Sequence, residues 1–304
     1  MKRILTYIAL LFAFVSNAQQ DAIYSQYLFN PFAINPAYAG TRDAINVVIV
    51  NRSQWSGLDG APTTQTVSGH VPMNRKNIAW GAQLSRDKIG PTNNMLVNAT
   101  GAYQLKLERG TLNFGLRGGI YNSVLDHAAL HFREENDALD IQQKVSAIVP
   151  TFDFGIYYYT EQFFAGLAVN HLTKHNLKYS DLLENQNYFL QRHFFFSTGY
   201  VFEMSPKVLF KPTVLIKYAG PNTFNIDFNA HMMYNEKFWV GIGLRNFSSV
   251  NFLVDFNVTD YLRIGYSYDL NLTKLKNFSY GSHEFLIGFD FNVKKSTIIS
   301  PRHL

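Results

Sequence analysis

Four runs near the C-terminus decide the fold: F-W-V-G-I-G-L-R (238–245), F-L-V-D-F-N-V (252–258), L-R-I-G-Y-S-Y-D (262–269) and F-L-I-G-F-D-F (285–291). One parity of each run is apolar throughout: Phe238, Val240, Ile242, Leu244; Phe252, Val254, Phe256, Val258; Leu262, Ile264, Tyr266, Tyr268; Phe285, Ile287, Phe289, Phe291. The other parity carries Arg245, Asp255, Asn257, Arg263, Asp269, Glu284 and Asp290. Successive side chains of a strand point to opposite faces, so each run is a ribbon with one oily and one polar face. A soluble β-sandwich alternates in the same way, and the ribbons alone leave both readings open.

The N-terminus separates them. Lys2 and Arg3 precede an apolar run from Ile4 to Val15, followed by Ser16-Asn17-Ala18. That order predicts a secretory signal over residues 1–18, cleaved after Ala18. The apolar run is shorter than the roughly 20 residues a spanning helix needs. The chain has no cysteine, so its stability must come from hydrogen bonding and packing. Without Lys2 and Arg3, 25 basic residues face 22 acidic ones, and no basic stripe supports a nucleic-acid partner. Aromatics make up 15% of residues and charged residues only 16%, less charge than a soluble surface usually carries. An exported, aromatic-rich chain of alternating strands points to a Gram-negative outer membrane, where a closed barrel satisfies every backbone group.

The pattern predicts an all-β transmembrane antiparallel up-and-down barrel over residues 44–293. It has about fourteen strands, near 44–54, 64–73, 78–88, 94–106, 111–122, 151–159, 162–170, 192–203, 207–218, 223–234, 237–246, 250–258, 261–270 and 283–293. Short turns at Asn74–Lys76, Glu108–Gly110, Thr160-Glu161, Ser205-Pro206, Asn235-Glu236 and Thr259-Asp260 alternate with a set that includes Ser56–Thr63, Lys88–Pro91, Val124–Pro150, His171–Gln191 and Asn271–Ser282. All the long connections fall in the second set, as periplasmic turns and external loops sort in such barrels. The inward parity offers Arg117, Asp227, Arg245, Asp255, Arg263, Asp269, Glu284 and Asp290, mixed signs that suit either a salt-bridged interior or a wet pore. Residues 19–43 are not strand-like, because Asn30-Pro31 and Asn35-Pro36 remove ladder donors. They are expected in the lumen as a plug or beneath the barrel as a periplasmic docking surface. Residues 294–304 form a polar periplasmic tail.

Motifs for chemistry are sparse. His171 and His175 share one external loop without a framework of further ligands, so a solvated pair is the default over a metal site. No H-E-x-x-H, G-x-S-x-G or P-loop occurs. Asp255 and Asp269 could serve as an acid/base pair, but their regular lumenal parity favours a structural role. No cofactor is expected.

The N-terminal third carries specific motifs. Gln26-Tyr27-Leu28-Phe29-Asn30-Pro31 leads into Ile34-Asn35-Pro36-Ala37-Tyr38-Ala39-Gly40, then Arg52-Ser53-Gln54-Trp55-Ser56-Gly57, Gly60-Ala61-Pro62-Thr63-Thr64-Gln65-Thr66, and Asp87-Lys88-Ile89-Gly90-Pro91-Thr92. This series resembles the PorP/SprF family of type IX secretion outer-membrane proteins, densely over 19–92 and more thinly beyond. The resemblance implies a non-enzymatic barrel that works with the secretion and gliding apparatus. Its implied partners are outer-membrane lipid, periplasmic components of the machinery, and a secreted cargo such as a large adhesin. The family supplies no established catalytic residues. Gln26, Tyr27, Asn30, Asn35, Pro36, Tyr38, Gly40, Arg52, Trp55, Asp87 and Pro91 are its candidate docking residues here; bracing of the entry strand by Arg52, Tyr38 and Trp55 is the alternative. The loops Val124–Pro150, with Arg133, Glu134, Glu135, Asp137 and Asp140, and His171–Gln191 are long enough to recognise cargo. A passive porin, and more distantly an outer-membrane hydrolase, are the rival readings.

Overall fold

A computed structural model describes residues 24–292 apart from 43, 74–76, 131–142, 174, 178, 180–188 and 221–222. The expected signal segment 1–18, the expected tail 294–304 and the acidic residues 133–140 of the first long connection lie outside the described residues. The strands are β1 (Ala44–Ser53), β2 (Thr63–Met73), β3 (Ile78–Ile89), β4 (Thr92–Leu107), β5 (Gly110–Asp126), β6 (Lys144–Tyr159), β7 (Phe163–Asn170), β8 (His193–Tyr200), β9 (Phe202–Ser205), β10 (Val208–Tyr218), β11 (Phe224–Tyr234), β12 (Phe238–Arg245), β13 (Ser249–Asn257), β14 (Leu262–Asn271) and β15 (Ser282–Asn292). Neighbours pair antiparallel around one sheet, and β15 pairs with β1 from Ala44↔Asn292 to Ser53↔His283, which closes the barrel.

β8 and β9 are two pieces of one spanning strand against β10, so fourteen strands cross. The expected strand at 192–203 is therefore present but broken at Val201. The break lies beside Pro212, which falls between the pairs Thr213↔Gly199 and Phe210↔Phe202 and has no N–H for the ladder. The Val201 amide donates instead to Gln162 O at 2.8 Å.

The expected loop Val124–Pro150 is a correction. β5 continues to Asp126 and β6 begins at Lys144, with pairs from Asp126↔Lys144 through Ile120↔Pro150. Pro150 lies inside this ladder: above Phe154, β6 has β5 as its only strand partner among the described residues, and such an edge tolerates proline. The connection shrinks to 127–143.

The two rims differ as expected. One carries only connections of at most four residues, including Asn235-Glu236, both left-handed at φ 53 and 57 as a tight hairpin turn requires. The other carries 54–62, 127–143, 171–192 and 272–281. Wall parity follows the ribbons. Phe252, Val254 and Phe256 are exposed on the outside, while Asn251, Leu253 and Asp255 are buried within. Inside the cylinder, the 3-10 turns Pro31–Ala33 and Pro36–Tyr38 belong to a segment that the walls enclose.

Candidate functional site

Residues 24–42 descend through the lumen from the long-loop half to the short-turn rim, nearly all of them buried. At the upper end, Ser25 and Gln26 present consecutive backbone N–H groups to the two oxygens of Glu284, both at 2.8 Å. Gln26 Nε2 also donates to Glu284 O at 3.0 Å. Ser25 Oγ donates to Asp269 at 2.7 and 2.8 Å.

A chain of buried ions runs through this point. Arg52 reaches Asp269 at 2.7 Å, Glu284 at 3.0 Å and Ser25 Oγ at 3.0 Å. Arg245 links Asp269 at 3.3 Å to Asp227 at 3.1 Å and donates to Tyr24 O and Ser25 Oγ, both at 3.1 Å. Lys217 completes the chain at 3.4 Å from Asp227. At the lower end, Arg42 meets Asp290 at 2.5 Å, and Arg263 stands 3.7 Å from Asp255 and 4.0 Å from Asp290. Burial disfavours the Arg42 charge, but Asp290, supported by Tyr38, outweighs it and raises the guanidinium above its ordinary value.

Between these ends the segment is held by packing and by glycines in the wall. Phe29 sits edge-on to Trp239 (5.8 Å) and His231 (6.0 Å), with the Arg263 guanidinium 5.3 Å from its ring centre. Phe32 lies under Arg117 at 4.8 Å and edge-on to His70. Arg117 donates to the carbonyls of Phe32 and Ala33 and faces Asp153 at 3.6 Å. Asn35 caps its turn by accepting from Ala37 N at 2.9 Å and donates to Ile156 O and Leu167 O in the wall. Gly115 and Gly155 pair across β5 and β6, and a Cβ on either would collide with Pro36-Ala37 or Asn35. Tyr38 packs against His70 and Tyr157, while Gly40, left-handed at φ 75, donates to His70 Nδ1 and accepts from Gln104.

The two residue sets singled out from sequence therefore meet in one place. Gln26, Tyr27, Asn30, Asn35, Pro36, Tyr38 and Gly40 are buried in the lumen and not on a periplasmic surface, because their polar groups find wall partners there. Tyr27 Oη accepts from Asn229 at 2.7 Å, and Asn30 Oδ1 accepts from Ser68 at 3.1 Å. Arg52 joins the lumenal carboxylates. Trp55 and Pro91 do not; they lie half-buried at the long-loop rim, where Trp55 N donates to Ser282 Oγ and Pro91 O accepts from Asp126 N. Arg52, Tyr38 and Trp55 thus form no single brace. Asp87 is buried on β3, bonded by Thr64 Oγ1.

Sequence reasoning missed the inward apolar residues Trp239, Leu253, Leu286, Leu215 and Met233, which join the core around the segment. Their signal was present as large apolar residues interrupting the polar parity. It also missed Tyr24, whose hydroxyl burial pushes up to about 12 while its 2.7 Å bond to Thr66 opposes the shift. Burial raises the Tyr27 hydroxyl as well.

Beside the segment a cavity of about 60 Å³ is lined by Tyr24, Ala33, Ile34, Asp87, Arg117, Asp153 and His171 among others, room for a few waters. His171 is held within the wall by Thr151 (2.8 Å) and donates its amide to Asp153 (2.9 Å), which is a structural role. No group of three His, Cys, Asp or Glu among the described residues could hold a metal ion.

A closed antiparallel barrel with an oily outer face and a polar, filled interior defines an outer-membrane β-barrel protein. Solved structures agree on the fold. The Ralstonia pickettii toluene transporter TbuX is similar over 89% of this chain and 94% of its own (TM-score 0.50, 12% identity). The CymD monoaromatic hydrocarbon channel is similar over 91% and 94% (TM-score 0.51, 12% identity). No curated protein matches the sequence. The model of the type IX secretion system membrane protein PorP/SprF matches residues 16–289, and the chain belongs to that family.

Proposed function

We propose that this barrel serves type IX secretion as a closed, non-enzymatic partner in the export or surface attachment of one specific cargo, such as a large adhesin. The observation that carries the reading is the lumen filled by residues 24–42, whose groups are bonded to the walls from β15 through β1 to β7. A passive porin needs a clear aqueous path, and this interior does not suit one. Lumenal carboxylates engaged by arginines and backbone amides also disfavour a hydrolase. In this reading the periplasmic rim meets the secretion machinery, the long loops meet cargo, and residues 24–42 act as a fixed plug. Deleting the gene and comparing surface proteomes tests it: one or a few cargo proteins should disappear from the surface. An unchanged surface proteome contradicts the partner role, and a steady large conductance of the wild-type barrel in a planar bilayer contradicts the plug.

A further inference from the structure

Tyr280, Phe247 and Phe278 are 79%, 70% and 69% exposed, the highest values among the described large apolar residues. Phe278 and Tyr280 lie in the β14–β15 loop, and Phe247 lies in the turn beside the base of that loop. Leu272 N donates to Ser248 O at 2.8 Å, joining the 246–248 turn to the β14–β15 loop. That loop is tied on two sides: inward-parity Asn271 donates to Ser279 Oγ at 3.0 Å, and a second anchor lies on the outer wall. Tyr268, on the lipid-facing parity of β14, donates its hydroxyl to Tyr280 O at 3.0 Å, and Tyr280 N donates to Ser56 O at 2.8 Å. Through its carbonyl Tyr280 adjoins an outer aromatic row in which Tyr266 lies 5.0 Å from Phe285, while its ring lies against Gly57 of the 54–62 loop. Such rows sit at the headgroup level of a bilayer.

The same loop is cationic. Residues 272–281 include Lys274 and Lys276 and no acidic residue. Both lysines are exposed, and neither has an ion-pair partner among the described residues. Lysines at this depth attract anionic headgroups, and aromatic rings beside them pack against the sugar and upper acyl region.

We propose that the β14–β15 loop, with Phe247 of the adjoining turn, binds a phosphorylated glycolipid of the outer leaflet, of the lipid A type. Lys274 and Lys276 take its phosphates, and Phe247, Phe278 and Tyr280 cover its glycan. An acidic protein partner would meet the same charges, but the bond from outward-facing Tyr268 sets Tyr280 beside the lipid-facing wall, which favours a lipid. The full-length barrel in neutral detergent would be titrated with lipid A, dephosphorylated lipid A and inorganic phosphate, with bound adducts read by native mass spectrometry. Wild type should bind lipid A alone. Lys274→Gln/Lys276→Gln should bind it roughly 30-fold more weakly, from the usual contribution of two interfacial lysines. Lys106→Gln/Lys207→Gln, exposed at the opposite rim, should match wild type. Equal lipid A binding by the loop variant, or equal binding of the dephosphorylated lipid, would overturn the proposal. So would an acidic secreted protein that loses binding to the loop variant while lipid A binding stays unchanged.

Discussion

Replacing Arg52 by methionine should destabilise the folded barrel by about 3 kcal/mol. The guanidinium holds Asp269 at 2.7 Å and Glu284 at 3.0 Å, and the three side chains are at most 3% exposed. Removing one partner from a buried ion network costs roughly 3–5 kcal/mol, because the remaining charge stays in a poor dielectric. The lower end applies here. Asp269 keeps Arg245 at 3.3 Å, and Glu284 keeps the amides of Ser25 and Gln26. Removing the opposing charge as well, in Arg52→Met/Glu284→Gln, should cost less than the two single changes summed, with a coupling of about 1 kcal/mol or more. Urea unfolding in lipid vesicles, followed by fluorescence of Trp239 against Phe29 in a background lacking Trp55 and Trp80, measures all four species. A single variant within about 0.5 kcal/mol of wild type, or strict additivity in the double variant, would refute the network as the anchor of the segment.

Gly115→Val should leave the barrel assembled, since valine suits a strand, but expel Pro36-Ala37 from the wall; planar-bilayer recordings should then show openings absent from wild type, and a silent variant refutes the steric argument. Val254→Arg, on the outer face of β13, should cost about 2–4 kcal/mol in a bilayer, measured by unfolding in vesicles; a neutral result would remove that face from lipid. Tyr24 is held neutral, so its contribution is complete below pH 10, its ordinary value, and is lost as pH rises toward about 12. Tyr24→Phe should therefore lessen the alkaline release of the segment, read as protease sensitivity against pH; an identical alkaline profile refutes the assignment.

The wall was legible in the sequence because its signal is local. Period two needs only consecutive residues, and Phe252 to Phe256 declare their faces without reference to the rest of the chain. Loop sorting was legible for the same reason. Pro150 shows the limit: whether a proline ends a strand depends on which neighbour lies across from it, and β7 stops short of that height. The interior was half legible. Arg117, Asp255 and Asp269 announced an inward polar parity, but charges of mixed sign fit an open or a filled lumen equally. Deciding between them required knowing that Ser25 lies beside Glu284, a contact separated by 259 positions.

The filling of the lumen is nevertheless written into the wall as well as into the segment. An open pore would place Trp239, Leu253 and Leu286 against water, three large apolar side chains that are now at most 2% exposed. Around residues 24–42 they gain roughly 1.5–3 kcal/mol each relative to exposure. The inward glycines point the same way, since Gly81 makes room for Phe32, Gly115 for Pro36-Ala37, and Gly265 for Gln26. Glycine weakens a strand, so its use at these contact positions fits a close approach of another backbone or ring. Carboxylates complete the argument. Two consecutive amides meeting two oxygens of one fully buried Glu284 is an arrangement that water in a wide channel would not require. Apolar inward residues, glycine recesses and a carboxylate satisfied by backbone all lose their physical rationale if the segment is absent, and a barrel evolved to conduct would have no use for any of them.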